Sequence, residues 1–333
     1  MRETQMKAIV VSKPGAKAQL MDVAMPTAGA GEIVVSMMGC GICGTDHHIV
    51  EEGLPTAKYP IIPGHEPWGK VFALGTGVTN VAVGDVVAID PSLHCGMCDQ
   101  CRQAKGNLCK NWGAIGGSHP GAWAEYFVAP AKNAYSLKDF PLDIASLIEP
   151  VACAVRGLDR LNPHQGKSVL IVGGGTMGLL LAILLDINGC QPLTVVEANA
   201  KRRDISKKLT GLTIISPEEA KSARADYVID ATGIPSVIED AITRVNAGGT
   251  FMVFGVASEH AKVSFSPYAI YKDEIQITSS MAILHSFGPA IDLMRVHGDR
   301  FRPLLTHTFA LNEFEKALAV LSSGEAIKVA LKP

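Results

Sequence analysis

Four cysteines fall within 15 residues as Cys95-x2-Cys98-x2-Cys101-x7-Cys109. Thiolates at that spacing can close a tetrahedral all-sulfur site with no position open for chemistry, the pattern of a structural zinc. The alternatives are an iron–sulfur cluster, a redox dithiol and unligated thiols, and no neighbouring motif supports the first. A second set mixes ligand types: Cys43 in Gly41-Ile42-Cys43-Gly44-Thr45-Asp46-His47-His48, and His65-Glu66 in Pro63-Gly64-His65-Glu66. A thiolate, an imidazole and a carboxylate suit a catalytic zinc whose fourth position exchanges. Singly, each has a plainer reading: Cys43 as a small core residue, His65 as a turn histidine, Glu66 as a surface acid. The run Ile148-Glu149-Pro150-Val151-Ala152-Cys153 adds two candidates. With Pro150 in the first turn of a helix, Glu149 and Cys153 are four apart and share a face, so either could reach one metal. Spacing does not choose between them.

Gly173-Gly174-Gly175-Thr176-Met177-Gly178 fits G-x-G-x-x-G, follows the apolar run SVLIV and opens the Leu-rich stretch TMGLLLAILL. Strand, glycine turn and helix in that order are the context of a dinucleotide-binding fingerprint. Gly173 would permit the tight turn, Gly175 the approach of a pyrophosphate to the helix N-terminus that Thr176 and Met177 begin, and Gly178 close packing of helix on strand. Glu197 ends the next apolar run, about 20 residues further on. A carboxylate there accepts hydrogen bonds from the ribose hydroxyls and repels a 2′-phosphate, which favours NAD over NADP. Lys201, Arg202 and Arg203 weaken that preference, because a cation such as Arg202 can accommodate the phosphate.

These groups need elements to hold them. At about 150 residues per domain, 333 residues give a little over two domains. Short β-like runs broken by Gly and Pro (KAIVV, EIVVSMM, GKVFALG, GDVVAI) predict a mainly β, barrel-like domain. Between residues 91 and 121 apolar periodicity disappears, as in a long loop held by something other than a core, and a bound metal would serve. Beyond residue 150, six apolar runs (SVLIV, LTVVE, LTIIS, DYVID, TFMVFG, IQITSS) alternate with helix-like stretches, predicting a parallel, doubly wound α/β sheet. Two further helical stretches, around Phe287 to Val296 and Glu313 to Leu321, precede a last strand, IKVALK. Composition narrows the classes. Lys and Arg total 30 against 32 Asp and Glu, which gives no electrostatic footprint for nucleic acid or an anionic membrane. Charged residues at 19%, hydrophobic residues at 47% and 33 glycines exclude a disordered chain and fit buried parallel sheet with glycine turns. The uncharged run from Ser168 to Leu185 approaches the length of a membrane span, but its three glycines favour strand, turn and buried helix. MRETQMKAIVVSKPG lacks the apolar core and small-residue cleavage site of a secretory signal, so a cytoplasmic location with reduced thiols is expected. Cys40 and Cys190 read as packing residues. Trp68, Trp112, His119 and Trp123 are pocket candidates, with core packing the better reading for the tryptophans.

GICGTDHH, PGHE, the four-cysteine lobe and GGGTMG, in that order, resemble the zinc-dependent medium-chain dehydrogenase/reductase family, in its alcohol and polyol (sorbitol dehydrogenase) branch, over essentially the whole chain. The resemblance implies a GroES-like β-rich catalytic domain at 1–150 with a structural zinc lobe at 91–121, a Rossmann NAD-binding domain at 151–285, and a return to the catalytic domain at 286–333. It implies Cys43 and His65 as zinc ligands, with Glu66 ligating or lying just behind the metal and Asp46 orienting His65. Thr45 would hydrogen-bond the substrate oxygen and His48 would pass its proton towards solvent. Simple alcohol dehydrogenases of the family use a Cys where Cys153 falls, whereas the polyol branch has an EP motif like Glu149-Pro150 and ligates through Glu66. The favoured set is Cys43, His65, Glu66 and a water that Glu149 contacts or replaces, with Cys153 as the alternative ligand. The implied reaction is reversible oxidation of a secondary alcohol of a polyol or sugar-like substrate to a ketone, with hydride passing to NAD. The implied assembly is a homodimer or homotetramer, with Ile275 to Ser279 as a pairing edge, and neither nucleic acid nor membrane is a partner. Around ITSSMAILHSFGPAIDL the chain departs from sorbitol dehydrogenases. The rival functions are a simple secondary-alcohol dehydrogenase using Cys153 and a non-catalytic NAD(H)-binding sensor.

Overall fold

The computed structural model describes residues 5–51 and 57–333. The chain forms two units. One comprises residues up to Glu149 together with Ile283–Gly298 and Leu305–Pro333. The other comprises Pro150–Ala282 and Asp299–Leu304. The second unit thus takes back a short piece of chain from within the 286–333 segment. That piece begins just after His297, whose φ of −113° and ψ of 20° break the helix Phe287–Phe301.

The first unit is GroES-like and β-rich. Its main sheet runs in the order Leu305–Ala310, Lys328–Lys332, Glu32–Ile42, Glu66–Leu74, Val86–Ile89 and Ala134–Ser136, with Tyr126–Pro130 also paired to Glu32–Ile42. Two strands from the end of the chain therefore complete a sheet begun near its start. The central strand Glu32–Ile42 carries the register that matters for chemistry: Gly41 lies opposite Glu66 on one side and opposite Ala330 on the other. Strict alternation of inward and outward side chains is absent from this strand; Ile33, Val34, Val35, Met37, Cys40 and Ile42 are all buried, as expected of a strand covered on both faces. Trp123 is fully buried in the same core.

The second unit is a doubly wound Rossmann sheet. All six strands are parallel, in the order Thr213–Ile215, Leu193–Val196, Val169–Val172, Ala225–Asp230, Val245–Val253 and Gln276–Ser279. The order reverses beside Val169–Val172, so the crevice at a topological switch point opens where that strand ends. The run Ser168 to Leu185 resolves into that strand and the helix Thr176–Asn188, whose residues Gly178–Leu185 are buried. Gly189, at φ 89°, ends the helix in the left-handed conformation that a side chain disfavours. Among the described residues no helix is long and apolar enough to cross a membrane.

Candidate active site

Cys43 follows the strand Glu32–Ile42 and leads directly into the helix Gly44–Glu51. His65 immediately precedes the strand Glu66–Leu74. Neighbouring strands thus bring together groups far apart in sequence, with Cys43 Sγ 3.1 Å from His65 Nε2. Asp46, fully buried in the first turn of the helix, fixes both. Its Oδ2 accepts from the Cys43 amide at 3.0 Å, and its Oδ1 accepts from the Gly64 amide at 3.0 Å and lies 3.2 Å from His65 Nδ1. Nδ1 is thereby turned towards a carboxylate and Nε2 towards the thiol, the arrangement that orients a metal-binding imidazole. Burial lowers the His65 pKa, but Asp46 and Cys43 more than offset it and hold it well above the ordinary histidine value. Thr45 donates its amide to Cys43 Sγ at 3.2 Å, and His48 lies one turn further along the same helix.

Glu66 and Glu149 extend the cluster. His65, Glu66 and Glu149 each offer an atom within 4.8 Å of the others, and Cys43, Asp46 and His65 do the same. Among the described residues the clusters at this site contain Glu149 and not Cys153. Glu66 forms a buried ion pair with Lys328, each side chain 1% exposed. The pair occupies the space that Gly41 leaves empty: a Cβ on Gly41 would overlap the Glu66 carboxylate and lie 2.9 Å from Lys328 Cε. Burial pulls the Lys328 pKa down, yet Glu66 first and Cys43 next hold it above the ordinary lysine value. A charged lysine in a dry interior requires such anions.

In the lobe, Cys95, Cys98, Cys101 and Cys109 converge. Their sulfurs lie 3.6 Å (Cys98–Cys101), 3.9 Å (Cys98–Cys109), 3.5 Å (Cys109–Cys95) and 4.0 Å (Cys95–Cys101) apart. A tetrahedron with arms of about 2.3 Å has edges of about 3.8 Å, so these spacings fit a zinc. The amides of Met97 and Cys98 point at Cys95 Sγ, and that of Asn111 at Cys109 Sγ. Such donors favour the thiolate form, and the Met97 and Cys98 amides lower the Cys95 pKa.

In the second unit the glycine turn and two acids form one assembly. Gly173 adopts φ 110°, and a Cβ there would lie 2.9 Å from Thr232 Cγ2. A Cβ on Gly178 would overlap the Gly173 carbonyl oxygen, whereas Gly175 faces open space. Glu197 is 5% exposed and spans the turn: Oε2 accepts from the Gly174 amide at 3.0 Å and Oε1 from the Asn199 amide at 2.7 Å. Arg202 Nη1 lies 3.7 Å from Glu197 Oε2, while Arg203 donates to the Glu197 carbonyl at 2.9 Å. Asp230, fully buried, accepts from Thr232 N (3.0 Å), Thr232 Oγ1 (2.6 Å) and Gly233 N (3.0 Å), shaping the loop that packs on Gly173.

Residues 29–139 match the family model described as alcohol dehydrogenase GroES-like domain, and residues 142–332 match glucose dehydrogenase C-terminus. The chain is 34% identical to D-arabinitol dehydrogenase 1 of Uromyces fabae, over 99% of this chain and 97% of that protein. It is 32% identical to D-altritol 5-dehydrogenase of Agrobacterium fabrum, over 89% and 90% of the two chains. A zinc-binding dehydrogenase of Sinorhizobium meliloti, solved with NADP bound, superposes with TM-score 0.91 at 28% identity, covering 99% of this chain and 100% of that one. This chain belongs to the zinc-dependent medium-chain dehydrogenase/reductase family. It is an oxidoreductase of the alcohol and polyol dehydrogenase class.

Within this dehydrogenase His65 joins Cys43 and Asp46 in one cluster and Glu66 and Glu149 in another, and the four lobe cysteines form a third. Cys40 and Cys190 are fully buried. Two residues were missed from the sequence. Strand alternation groups Lys328 with Ala330 and Lys332, which reads as a solvated face, and only the pairing of Lys328–Lys332 with Glu32–Ile42 turns it inward. Asp230 lay in plain view at the end of DYVID, followed by Ala-Thr-Gly; an acid before a turn-forming T-G is the signal that could have found it.

Proposed function

We propose that this dehydrogenase oxidises a secondary hydroxyl of a polyol to a ketone and delivers the hydride to NAD. The observation that carries the reading is that His65 is shared by two clusters of metal donors, one with Cys43 and Asp46 and one with Glu66 and Glu149. Thiolate, imidazole and carboxylates are zinc donors, and Asp46 already orients His65 for the task. Zinc at this site would supply Lewis acidity to the substrate hydroxyl. A second zinc in the cysteine lobe would be structural, because Cys95, Cys98, Cys101 and Cys109 together offer four sulfurs and leave no open position.

The protein's own groups handle the proton. Thr45 is set beside Cys43 by its amide contact to the sulfur, so its hydroxyl can hydrogen-bond the substrate oxygen. His48 follows three residues later on the same helical face and is exposed, so it can carry the released proton to water. The net reaction balances as alcohol plus NAD⁺ giving ketone, NADH and one proton. Glu149 supports the polyol branch over a site completed by Cys153. The D-arabinitol and D-altritol relatives point to an acyclic polyol.

Glu197 selects the cofactor. Its buried carboxylate, tied to the Gly174 amide, would accept hydrogen bonds from the adenosine ribose hydroxyls. A 2′-phosphate there would meet a fixed negative charge, which supports NAD. A homo-oligomer is supported by the sheet edge Gln276–Ser279, where Ile277 is 46% exposed. The test is a panel of pentitols, hexitols and simple secondary alcohols with NAD and with NADP. Turnover of pentitols or hexitols with NAD is expected; turnover confined to simple alcohols would move the assignment to that branch.

A further inference from the structure

Among the described residues Lys328 is the only buried lysine or arginine, and no step above uses it. Its backbone is fixed at the start of the last strand, where its carbonyl accepts from the Thr306 hydroxyl at 3.1 Å and the preceding Ile327 amide donates to that hydroxyl oxygen at 3.2 Å. Its side chain passes Gly41, which has no side chain to block it, and ends against Glu66. Cys43 and Glu149 also act electrostatically on the ammonium. The ammonium therefore contacts Glu66 directly and lies within electrostatic reach of Cys43 and Glu149. One thiolate and two carboxylates exceed a divalent cation by one negative charge, and a single ammonium supplies the balance.

We propose that Lys328 is a positioning residue that shares the Glu66 carboxylate with the catalytic metal, holding that carboxylate when the site is empty and neutralising the site when it is loaded. This rests on the reading that Cys43, His65, Glu66 and Glu149 bind zinc. Two consequences follow from charge alone. Without Lys328, the metal-free protein keeps a buried carboxylate with no fixed partner. With zinc present, the metal becomes the only cation available to that carboxylate and is held more tightly. A lysine that merely fills the core and ties two strands would weaken loaded and metal-free protein alike.

The test uses Lys328→Met, which keeps the length of the side chain, in full-length protein with both sites loaded and after chelation of the exchangeable zinc. Breaking a buried pair should lower the melting temperature of the zinc-depleted variant by on the order of 10 °C, and that of the loaded variant by much less. Release of the exchangeable zinc to a chromogenic chelator should slow by at least about tenfold, since a positive charge has left its neighbourhood. Equal losses in the two forms, or an unchanged release rate, would overturn the proposal. Should Lys328→Met not fold, Glu66→Gln with and without Lys328→Met decides. The single variant leaves the ammonium without the carboxylate it contacts, so the double variant must be more stable and release zinc more slowly; a double variant no better than Glu66→Gln refutes the role. Zinc counts on wild type and His65→Ala separate the two readings. If His65→Ala keeps its exchangeable zinc, the metal assignment itself fails; if it loses that zinc and Lys328→Met behaves as a uniform destabiliser, only the role of Lys328 fails.

Discussion

Replacing Glu197 by Gln should change which nicotinamide cofactor this dehydrogenase prefers, and the structure sets the size of the effect. The carboxylate receives the Gly174 and Asn199 amides at 3.0 and 2.7 Å while 5% exposed. It is therefore held where it stands and cannot swing away from an incoming 2′-phosphate. Hydrogen bonds to a charged acceptor contribute about 1.5–3 kcal/mol against about 0.5–1.5 for a neutral one. Loss of the charge should therefore weaken NADH binding by about 1–2 kcal/mol, or roughly 5–30-fold. For NADPH the sign reverses. Two unit charges at about 5 Å and an effective dielectric of about 20 repel by about 3 kcal/mol, and solvent screening at the ribose reduces this. The variant also frees Arg202 Nη1, now 3.7 Å from Glu197 Oε2, to face the phosphate. The ratio of NADPH to NADH dissociation constants should fall by on the order of 100-fold. Fluorescence titration of both cofactors reads it directly, with a melting curve to confirm the fold. A ratio unchanged within about threefold, with both affinities lowered together, would show that Glu197 only braces the glycine turn.

Other consequences can be checked separately. Asp230→Ala strands three donors, each costing about 1–3 kcal/mol when buried; it should lower stability and weaken NADH at least tenfold through the loop against Gly173, and an unchanged NADH titration would count against that coupling. Cys98→Ser should remove one zinc per chain and loosen the 91–121 lobe while the other zinc remains, as metal analysis with limited proteolysis would show. Asp226 has a pKa held below the ordinary carboxylate value by the Ser168 amide and hydroxyl, at 2.9 and 2.8 Å. Its contribution is complete above the normal carboxylate range and disappears as pH falls through the depressed pKa. Asp226→Asn should therefore be less stable than wild type at neutral pH and indistinguishable from it under strongly acidic conditions, as urea unfolding would reveal. Ile277→Lys, on the exposed edge strand, should shift the protein towards monomer in light scattering if that edge pairs two copies.

The chain's chemistry was legible wherever a local pattern carried it. Cysteine spacing marked the lobe, glycine spacing marked the turn, and the β-rich and βα-alternating halves followed from apolar periodicity. What the sequence could not show depends on pairings between distant strands. Glu66 and Lys328 are 262 residues apart, and only the register of Gly41 with both neighbouring strands brings them together. The choice between Glu149 and Cys153 was of the same kind. Both lie on one face of the helix Ile148–Leu161, so helical spacing alone treats them as equals, while the placement of His65 and Glu66 groups Glu149 with them.

The proposed function requires zinc at the cluster of Cys43, His65, Glu66 and Glu149 for polyol oxidation. It is tested most directly by measuring NAD reduction with D-arabinitol while the exchangeable zinc is withdrawn and restored, with the lobe zinc left in place. Activity should fall in proportion to zinc lost from that site and return when zinc is added back. Turnover that persists with the exchangeable site empty would contradict the account.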